Sequence, residues 1–254
     1  MSIQLSVVII TFNEERNIRR CLESVKEVAD EILVVDSFSK DNTEAICLEY
    51  NTRFLKHPFT GHIEQKNYAI DQASFDWIIS LDADEALTDE LKNSILEVKK
   101  NPLFNGYRMN RLTNYCGKWV RFCGWYPDTK VRMVCKQHAR WRGTNPHDRL
   151  DMRANEKTGF LKGDLLHYSY YTREDHLKQI EYFGDIAAKE LFERGKRSGW
   201  LKIIIKVCAQ FVKSFLIKKG FLDGYTGLTI SRLSAYASYR KYKKLLDMRQ
   251  NKNL

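Results

Sequence analysis

Three carboxylates crowd the end of one apolar run, Trp77-Ile78-Ile79-Ser80-Leu81-Asp82-Ala83-Asp84-Glu85. Ile78, Ile79 and Leu81 read as a buried strand, so Asp82 and Asp84 stand at its carboxyl end, where open α/β sheets bind ligands. Alternating along an extended backbone, the two can reach one hard divalent cation directly or through water. Mg2+ or Mn2+ held in that way usually also grips a phosphate. An isolated Asp-x-Asp is more often a solvated turn, here ahead of a helix that begins near Thr88, so the surrounding residues have to decide.

A second strand end, Val34-Val35-Asp36-Ser37, is also acidic. Asp36 there can accept the imide N–H of a uracil ring, or it can cap the helix that follows. At the first strand end, Thr11-Phe12-Asn13-Glu14-Glu15 turns into a helix whose amides and polar side chains could hold a base and a ribose. No Gly-x-Gly-x-x-Gly and no Walker loop follows that strand, which counts against NAD and P-loop chemistry.

These ends have to be positioned by a sheet. The patterning predicts strands over Leu5 to Ile10, Glu31 to Asp36, Arg53 to Lys56 and Trp77 to Leu81. Between them it predicts helices over Glu14 to Val28, from the Ser39–Thr43 cap to about Tyr50, and over Ile63 to Ala73. Such alternation means an α/β fold with a mostly parallel central sheet and flanking crossover helices. From Gly106 onward Tyr, Trp, Arg and Gly crowd segments such as Tyr115 to Tyr126, with short β runs at Val131 to Cys135 and Leu165 to Tyr168. This half is read as completing the sheet and shaping an acceptor cleft. Thr172-Arg173-Glu174-Asp175 has capping-box spacing, and the helix through Glu193 should bury Leu177, Ile180, Phe183, Ala187 and Leu191, with Gly195 ending it.

The charge is unevenly placed. Of a formal net charge of +10 over 254 residues, Lys196 to Leu254 supplies +12, so residues 1–195 carry −2. The basicity therefore belongs to the tail and points to an anionic partner there. Trp200 to Lys219 is apolar but interrupted by five lysines, too many for a spanning helix. Leu201, Ile204, Ile205, Cys208, Val212 and Phe215 share one helical face, as in a helix lying in a membrane interface; the other reading is a helix packed on the domain with its lysines in solvent. A last helix, about Leu228 to Met248, sets Arg240, Lys241, Lys243 and Lys244 among Tyr236, Tyr239 and Tyr242, which suits a lipid headgroup region. Met1 to Leu5 lacks the features of a signal peptide, and the six cysteines show no Cys-x-x-Cys spacing. Free thiols in a reducing cytoplasm are expected, and no zinc site.

Taken in order, Ser6 to Glu15, Val34 to Ser37, Gln65-Lys66-Asn67 and Asp82 to Glu85 resemble the family 2 glycosyltransferases with the GT-A fold. Gly124-Trp125-Tyr126-Pro127-Asp128, His167-Tyr168-Ser169-Tyr170 and Gly220 to Gly224 resemble the lipopolysaccharide core glucosyltransferase subgroup. The resemblance implies a nucleotide-sugar donor, UDP-linked, and inversion at the anomeric carbon. It implies a division into a nucleotide-sugar-binding half (1–105), an acceptor-binding and catalytic half (106–195) and a basic amphipathic helical tail (196–254).

Physical roles can be attached to single residues. Charge builds on the leaving phosphates as the glycosidic bond breaks, and a cation on Asp84 would neutralise it. Asp82 would support that metal or bind the ribose, and His167 is a candidate third ligand, although a hydrogen-bonded histidine is the plainer reading. Thr11, Asn13, Glu14, Asp36, Lys66 and Arg132 are expected to hold the donor. Arg140 and Arg142 could join Arg132 in clamping anionic groups. Inversion in one displacement also needs a general base on the acceptor hydroxyl. Subgroup relatives show His-Glu where this chain has His147-Asp148, which makes Asp148 the preferred base. Asp128 is its rival, and His147 could orient either.

The expected activity is metal-dependent hexosyl transfer, of glucose by the resemblance, to a glycolipid such as a lipopolysaccharide core. The expected place is the cytoplasmic side, peripheral to the inner face of a bacterial membrane, held by the tail on anionic lipid. Nucleic acid is not expected as a partner, and the oligomeric state does not follow from these residues. Two other readings compete: a nucleotidyltransferase, disfavoured by the acidic Thr11–Arg16 loop, and a non-catalytic sugar-nucleotide or nucleic-acid binding protein.

Overall fold

The computed structural model describes residues 2–144 and 147–250. Strands and helices alternate through the first hundred residues: β1 (Leu5–Thr11), α1 (Ile18–Val25), β2 (Glu31–Asp36), α2 (Thr43–Glu49), β3 (Arg53–Lys56), α3 (His62–Gln72), β4 (Trp77–Asp82), β5 (Glu85–Leu87) and α4 (Asp89–Lys100). Strands then dominate, as β6 (Gly106–Tyr115), β7 (Lys118–Trp119), β8 (Asp128–Cys135), β9 (Ala139–Thr144), β10 (His147–Met152) and β11 (Gly159–Tyr170). The chain ends in α5 (Arg173–Glu193), α6 (Trp200–Val212), a π turn (Lys213–Ile217), a 3-10 turn (Gly220–Asp223) and α7 (Gly224–Gln250). Contacts divide it into two compact units, Met1–Leu112 with Asp128–Tyr168, and Thr113–Pro127 with Ser169–Leu254.

The first unit is an α/β domain. Its sheet runs β3-β2-β1-β4-β8-β6-β11-β5, with the first four strands parallel and β8 antiparallel to β4. Because β2 and β4 lie on opposite sides of β1, the connections diverge there, and such a switch point opens a crevice at the strands' carboxyl ends. Side-chain alternation supplies the two faces. Leu5, Val7 and Ile9 of β1 join one core with Ile18, Leu22, Leu91 and Ile95, while Val8 joins the other with Ala69, Ile70 and Trp141. Thr88 caps α4 by accepting from the Leu91 amide.

One expected element is shorter than its sequence pattern. Residues 14–17 form a turn and α1 starts only at Ile18, because the amides of Asn13, Glu14 and Glu15 donate to Ser39 Oγ, Thr43 Oγ1 and Asp41 Oδ2 in the loop after β2. Those amides are thus committed to side chains of the chain itself.

The second unit is helical. Tyr115, Trp125, Tyr170 and His176 pack edge-to-face or tilted against one another at its centre, with ring centroids 4.7 to 5.9 Å apart. The aromatic residues read as shaping an acceptor cleft therefore build this unit's core. The capping box at Thr172 forms with Asp175, as its spacing predicts. The buried stripe of α5 is His176, Ile180, Gly184 and Ala188; Leu177, expected inside, is 37% exposed. The Gly220–Gly224 motif is a joint: Asp223 accepts the Phe122 amide at 2.8 Å, and a Cβ on Gly227 would lie 1.8 Å from the Gly220 carbonyl oxygen. Arg240 and Lys244 of the last helix pair with Glu181 and Asp185 of α5, and Lys243 pairs with Asp247.

Candidate active site at the carboxyl ends of the strands

Parallel register places the acidic strand ends together. Thr11 at the end of β1 is level with Asp36 of β2, and Ile10 with Asp82 of β4, so the two aspartates flank β1. Asp36 is fully buried, and its carboxylate accepts the Ser39 amide at 2.8 Å and the Ser39 hydroxyl. An ionised carboxylate has about four acceptor positions, so capacity remains for a ligand N–H. Thr11 Oγ1 is buried with no hydrogen-bond partner among the described residues, and Asn13 holds a left-handed backbone while its side chain accepts the Lys40 amide.

Asp82 is the centre of a charge network. Its Oδ1 lies 3.1 Å from Lys66 Nζ, and its Oδ2 lies 3.3 Å from Arg132 Nη2. Burial alone would raise this carboxyl, but Lys66 and Arg132 outweigh it and hold it well below the usual carboxylate range. Lys66 in turn reaches Asp148 Oδ2 at 2.8 Å, and its ammonium sits 4.2 Å from the centre of the Trp141 ring. A helix residue, a strand end of the parallel sheet and a strand of the β9–β10 ribbon are thereby tied at one point.

Glu85 and Arg111 were not singled out in the sequence. Glu85 is fully buried, accepts Arg132 Nη2 at 2.7 Å and the Asp82 amide at 3.1 Å, and faces Arg111 at 3.4 Å. Arg111 also binds Asp128 through Nε and Nη2, at 3.0 and 2.8 Å. Asp128 is further paired with Lys130 at 3.0 Å; burial would raise its carboxyl, and Arg111 with Lys130 lowers it below the ordinary value. Burial between arginines of two later strands gives Glu85 no sequence signal beyond being a third acid after Asp82 and Asp84.

Asp84 points to a different neighbour, His167, whose Nε2 lies 3.2 Å from Asp84 Oδ2. β11 brings it there by pairing His167 with Glu85 across β5. Burial pushes the Glu14 carboxyl up to about 7; the Asn17 amide opposes this, and the charges of Asp84, Asp41 and Asp82 reinforce it. Negative charge is thus in excess around Glu14 and Asp84, whereas Asp82 is already met by two cations. Among the described residues no three His, Cys, Asp or Glu side chains converge into a ready metal cage. Hard oxygen donors with surplus negative charge suit Mg2+ or Mn2+, which commonly take one or two carboxylates and complete their shell with phosphate and water.

A cleft of about 580 Å³ is lined by Lys66, Asp82, Arg111, Arg132, Trp141 and Asp148, among others. Arg132 is 3% exposed, and its Nε and Nη1 are buried with no hydrogen-bond partner among the described residues. Buried guanidinium donors without acceptors carry a cost that an anionic ligand would relieve. The structure thus brings Lys66, Asp82, Arg132 and Asp148 together, sets Asp84 with His167 and Glu14, and leaves Asp128 bound by Arg111 and Lys130. Arg140 pairs with Asp71 and Arg142 is exposed, so neither faces this cleft. His147 opens β10, and its side chain lies outside the described residues, as does Pro146.

Residues 6–122 match the Glycosyl transferase family 2. Along 96% of its length the chain is 28% identical to an uncharacterised glycosyltransferase of Rickettsia typhi, covering 87% of that protein. Along 94% it is 26% identical to the lipopolysaccharide core biosynthesis glycosyltransferase LpsC of Rhizobium meliloti, covering 93% of it. Among solved structures, S. aureus TarS 1-349 is 15% identical with a TM-score of 0.45, over 98% of this chain and 92% of that one.

Proposed function

We propose that this glycosyltransferase, whose residues 6–122 form a family 2 domain, moves a hexose from a UDP-linked donor to a glycolipid of the lipopolysaccharide-core kind, with inversion. The hexose is glucose by the sequence resemblance, and the acceptor class is supported by the likeness to LpsC. Donor binding falls to residues 1–105, acceptor binding and proton transfer to 106–195, and contact with the cytoplasmic face of the membrane to 196–254.

The observation that carries this reading is the Asp82–Lys66–Asp148 bridge beside the two unpartnered donors of Arg132. Asp36, Thr11 and the Asn13–Glu14 turn hold the base and ribose. Arg132 donates to the diphosphate. Asp84 holds Mg2+ or Mn2+, with Asp82 or His167 as further candidates, and the ion when bound supplies charge neutralisation for the departing phosphate. The donor's phosphates also compete for Lys66. As the ammonium turns to them, Asp148 is freed from its ion pair and takes the proton of the acceptor hydroxyl as that oxygen attacks the anomeric carbon and the nucleoside diphosphate leaves.

UDP release from UDP-hexoses with and without Mn2+, in wild type and Asp84→Asn, tests the assignment. A neutral amide holds a hard cation poorly, so metal-dependent release is expected to disappear while the melting transition persists. Full activity in folded Asp84→Asn protein would remove Asp84 from the metal site.

A further inference from the structure

We infer that the exposed face of α6, continued by the π turn, docks onto the surface of an anionic lipid bilayer. α6 packs in its unit through Ile203, which is 2% exposed, with Val207 and Phe211 half-buried. Its opposite side is apolar and open. Leu201, Ile204 and Ile205 are 74%, 57% and 55% exposed, and Cys208 and Val212 are exposed beside them. At 3.6 residues per turn these five fall in one stripe, and Lys202, Lys206 and Lys213 fall in a column along one flank of it.

The π turn keeps the stripe continuous. In an uninterrupted α-helix Ile217 would rotate away from the line of Leu201, Ile205 and Val212. A π turn takes more residues per revolution, so Leu216 and Ile217 come round toward that line, and both are more than half exposed. A groove of about 590 Å³, lined by Cys208 and Val212 of the stripe and by Ala235, Tyr236 and Tyr239 of α7, extends the apolar surface beyond one helix.

Charge selects the occupant. No Asp or Glu occurs from Trp200 to Leu222, so a second copy of this face would bring lysines without acids to meet them. A leaflet with anionic headgroups over hydrocarbon matches both the lysine column and the stripe, and the exposed Trp200 suits the headgroup level. No described helix is long and apolar enough to cross a membrane, so the helix lies in the interface plane. Half of the six basic residues of α7, Arg240, Lys243 and Lys244, are paired with acids of the same unit, whereas α6 and the π turn carry no acid, which makes these the docking element. This docking surface rests on the membrane contact proposed for residues 196–254 and narrows it to one helical face, whatever sugar the enzyme moves.

Flotation of the full chain with vesicles of phosphatidylcholine alone or mixed with phosphatidylglycerol tests it. Wild type is expected to float with the anionic vesicles at about 0.1 M salt and to be released as salt rises. Lys206→Gln with Lys213→Gln should weaken that binding by roughly 10-fold or more, from the contribution of each lysine near an anionic surface. Leu201→Gln, Ile204→Gln and Ile205→Gln together should abolish it while elution volume and UDP release from a soluble donor stay as in wild type. Wild type that fails to float, or a triple variant that floats like wild type, would overturn the inference. So would a wild-type dimer that the triple variant turns into a monomer, because a second copy would then cover the face.

Discussion

Lys66 and Lys206 show two opposite uses of the same side chain. Lys66 is buried on α3, ion-paired to Asp82 and Asp148 and resting on Trp141, whereas Lys206 is exposed on a helix that carries no acid. In the first unit positive charge is consumed internally: Lys66, Arg111 and Arg132 together meet Asp82, Glu85, Asp128 and Asp148. In the second unit much of it is displayed. On the proposed function, a site that receives an anionic donor gains from cations already placed on carboxylates, because a ligand phosphate can displace one set of contacts with another. A surface that meets lipid gains from cations with no competing partner.

The contrast can be broken most directly through stability. Lys66→Met leaves two partly buried carboxylates without the cation they share, and removing one partner of a buried ion pair costs about 3 kcal/mol or more. Lys206→Gln with Lys213→Gln removes exposed charge and should change unfolding free energy by no more than about 0.5 kcal/mol. Urea unfolding of the three proteins measures both. Equal stabilities would mean that the Lys66 pairs contribute nothing to the fold.

Within the first unit, the two base candidates differ in what binds them. Asp148 is held by one lysine that a donor can attract away, and Asp128 by Arg111 and Lys130, of which Arg111 also faces buried Glu85. Asp148→Asn is therefore expected to lower transfer by about 10²-fold with donor affinity nearly kept, as loss of a general base does. Asp128→Asn should spare turnover by comparison. Measuring kcat and donor Kd for both variants decides; the reverse pattern would move the base to Asp128.

The strand ends were legible because a parallel sheet turns local apolar runs directly into geometry. β2 and β3 fall on the predicted residues, β1 and β4 each extend one residue further, and Asp36 and Asp82 follow at their ends. What could not be read was contact between distant segments. Asp148 meets Lys66 across 82 positions, and Glu85 is buried by arginines from β6 and β8. The early helix start at Glu14 was misjudged for the same reason, since its amides are bound by Asp41 and Thr43 from the next loop. On α5 Ile180 is buried as expected and Phe183, Ala187 and Leu191 are half-buried, but in the first turn His176 enters the aromatic cluster and leaves Leu177 outside. Apolar counting favours leucine inside, but it cannot see that Tyr115, Trp125 and Tyr170 make a pocket for an imidazole.

That imidazole gives the finest test of the contrast, because it is a buried titratable group handled without a counter-charge. Burial lowers the His176 pKa to about 4, and its ring faces Tyr115, Trp125 and Tyr170, with Nδ1 3.3 Å from the Tyr115 hydroxyl. In the unfolded chain the same group titrates near 6.5. Between those two values the unfolded state binds more protons than the folded state, so stability rises with pH across the window. The contribution is fully present above about pH 6.5 and is lost progressively as pH falls toward about 4. From pH 7.5 to 5 the loss from this one residue comes to roughly 2 kcal/mol. His176→Phe keeps an aromatic ring in the cluster and removes the proton site. The difference in unfolding free energy between wild type and His176→Phe should therefore shift by that amount between the two pH values, in the direction that favours the variant in acid. A difference independent of pH would show that the cluster accepts the charged imidazole, and the second unit would then tolerate a buried charge without the counter-ions that Asp82 has in the first.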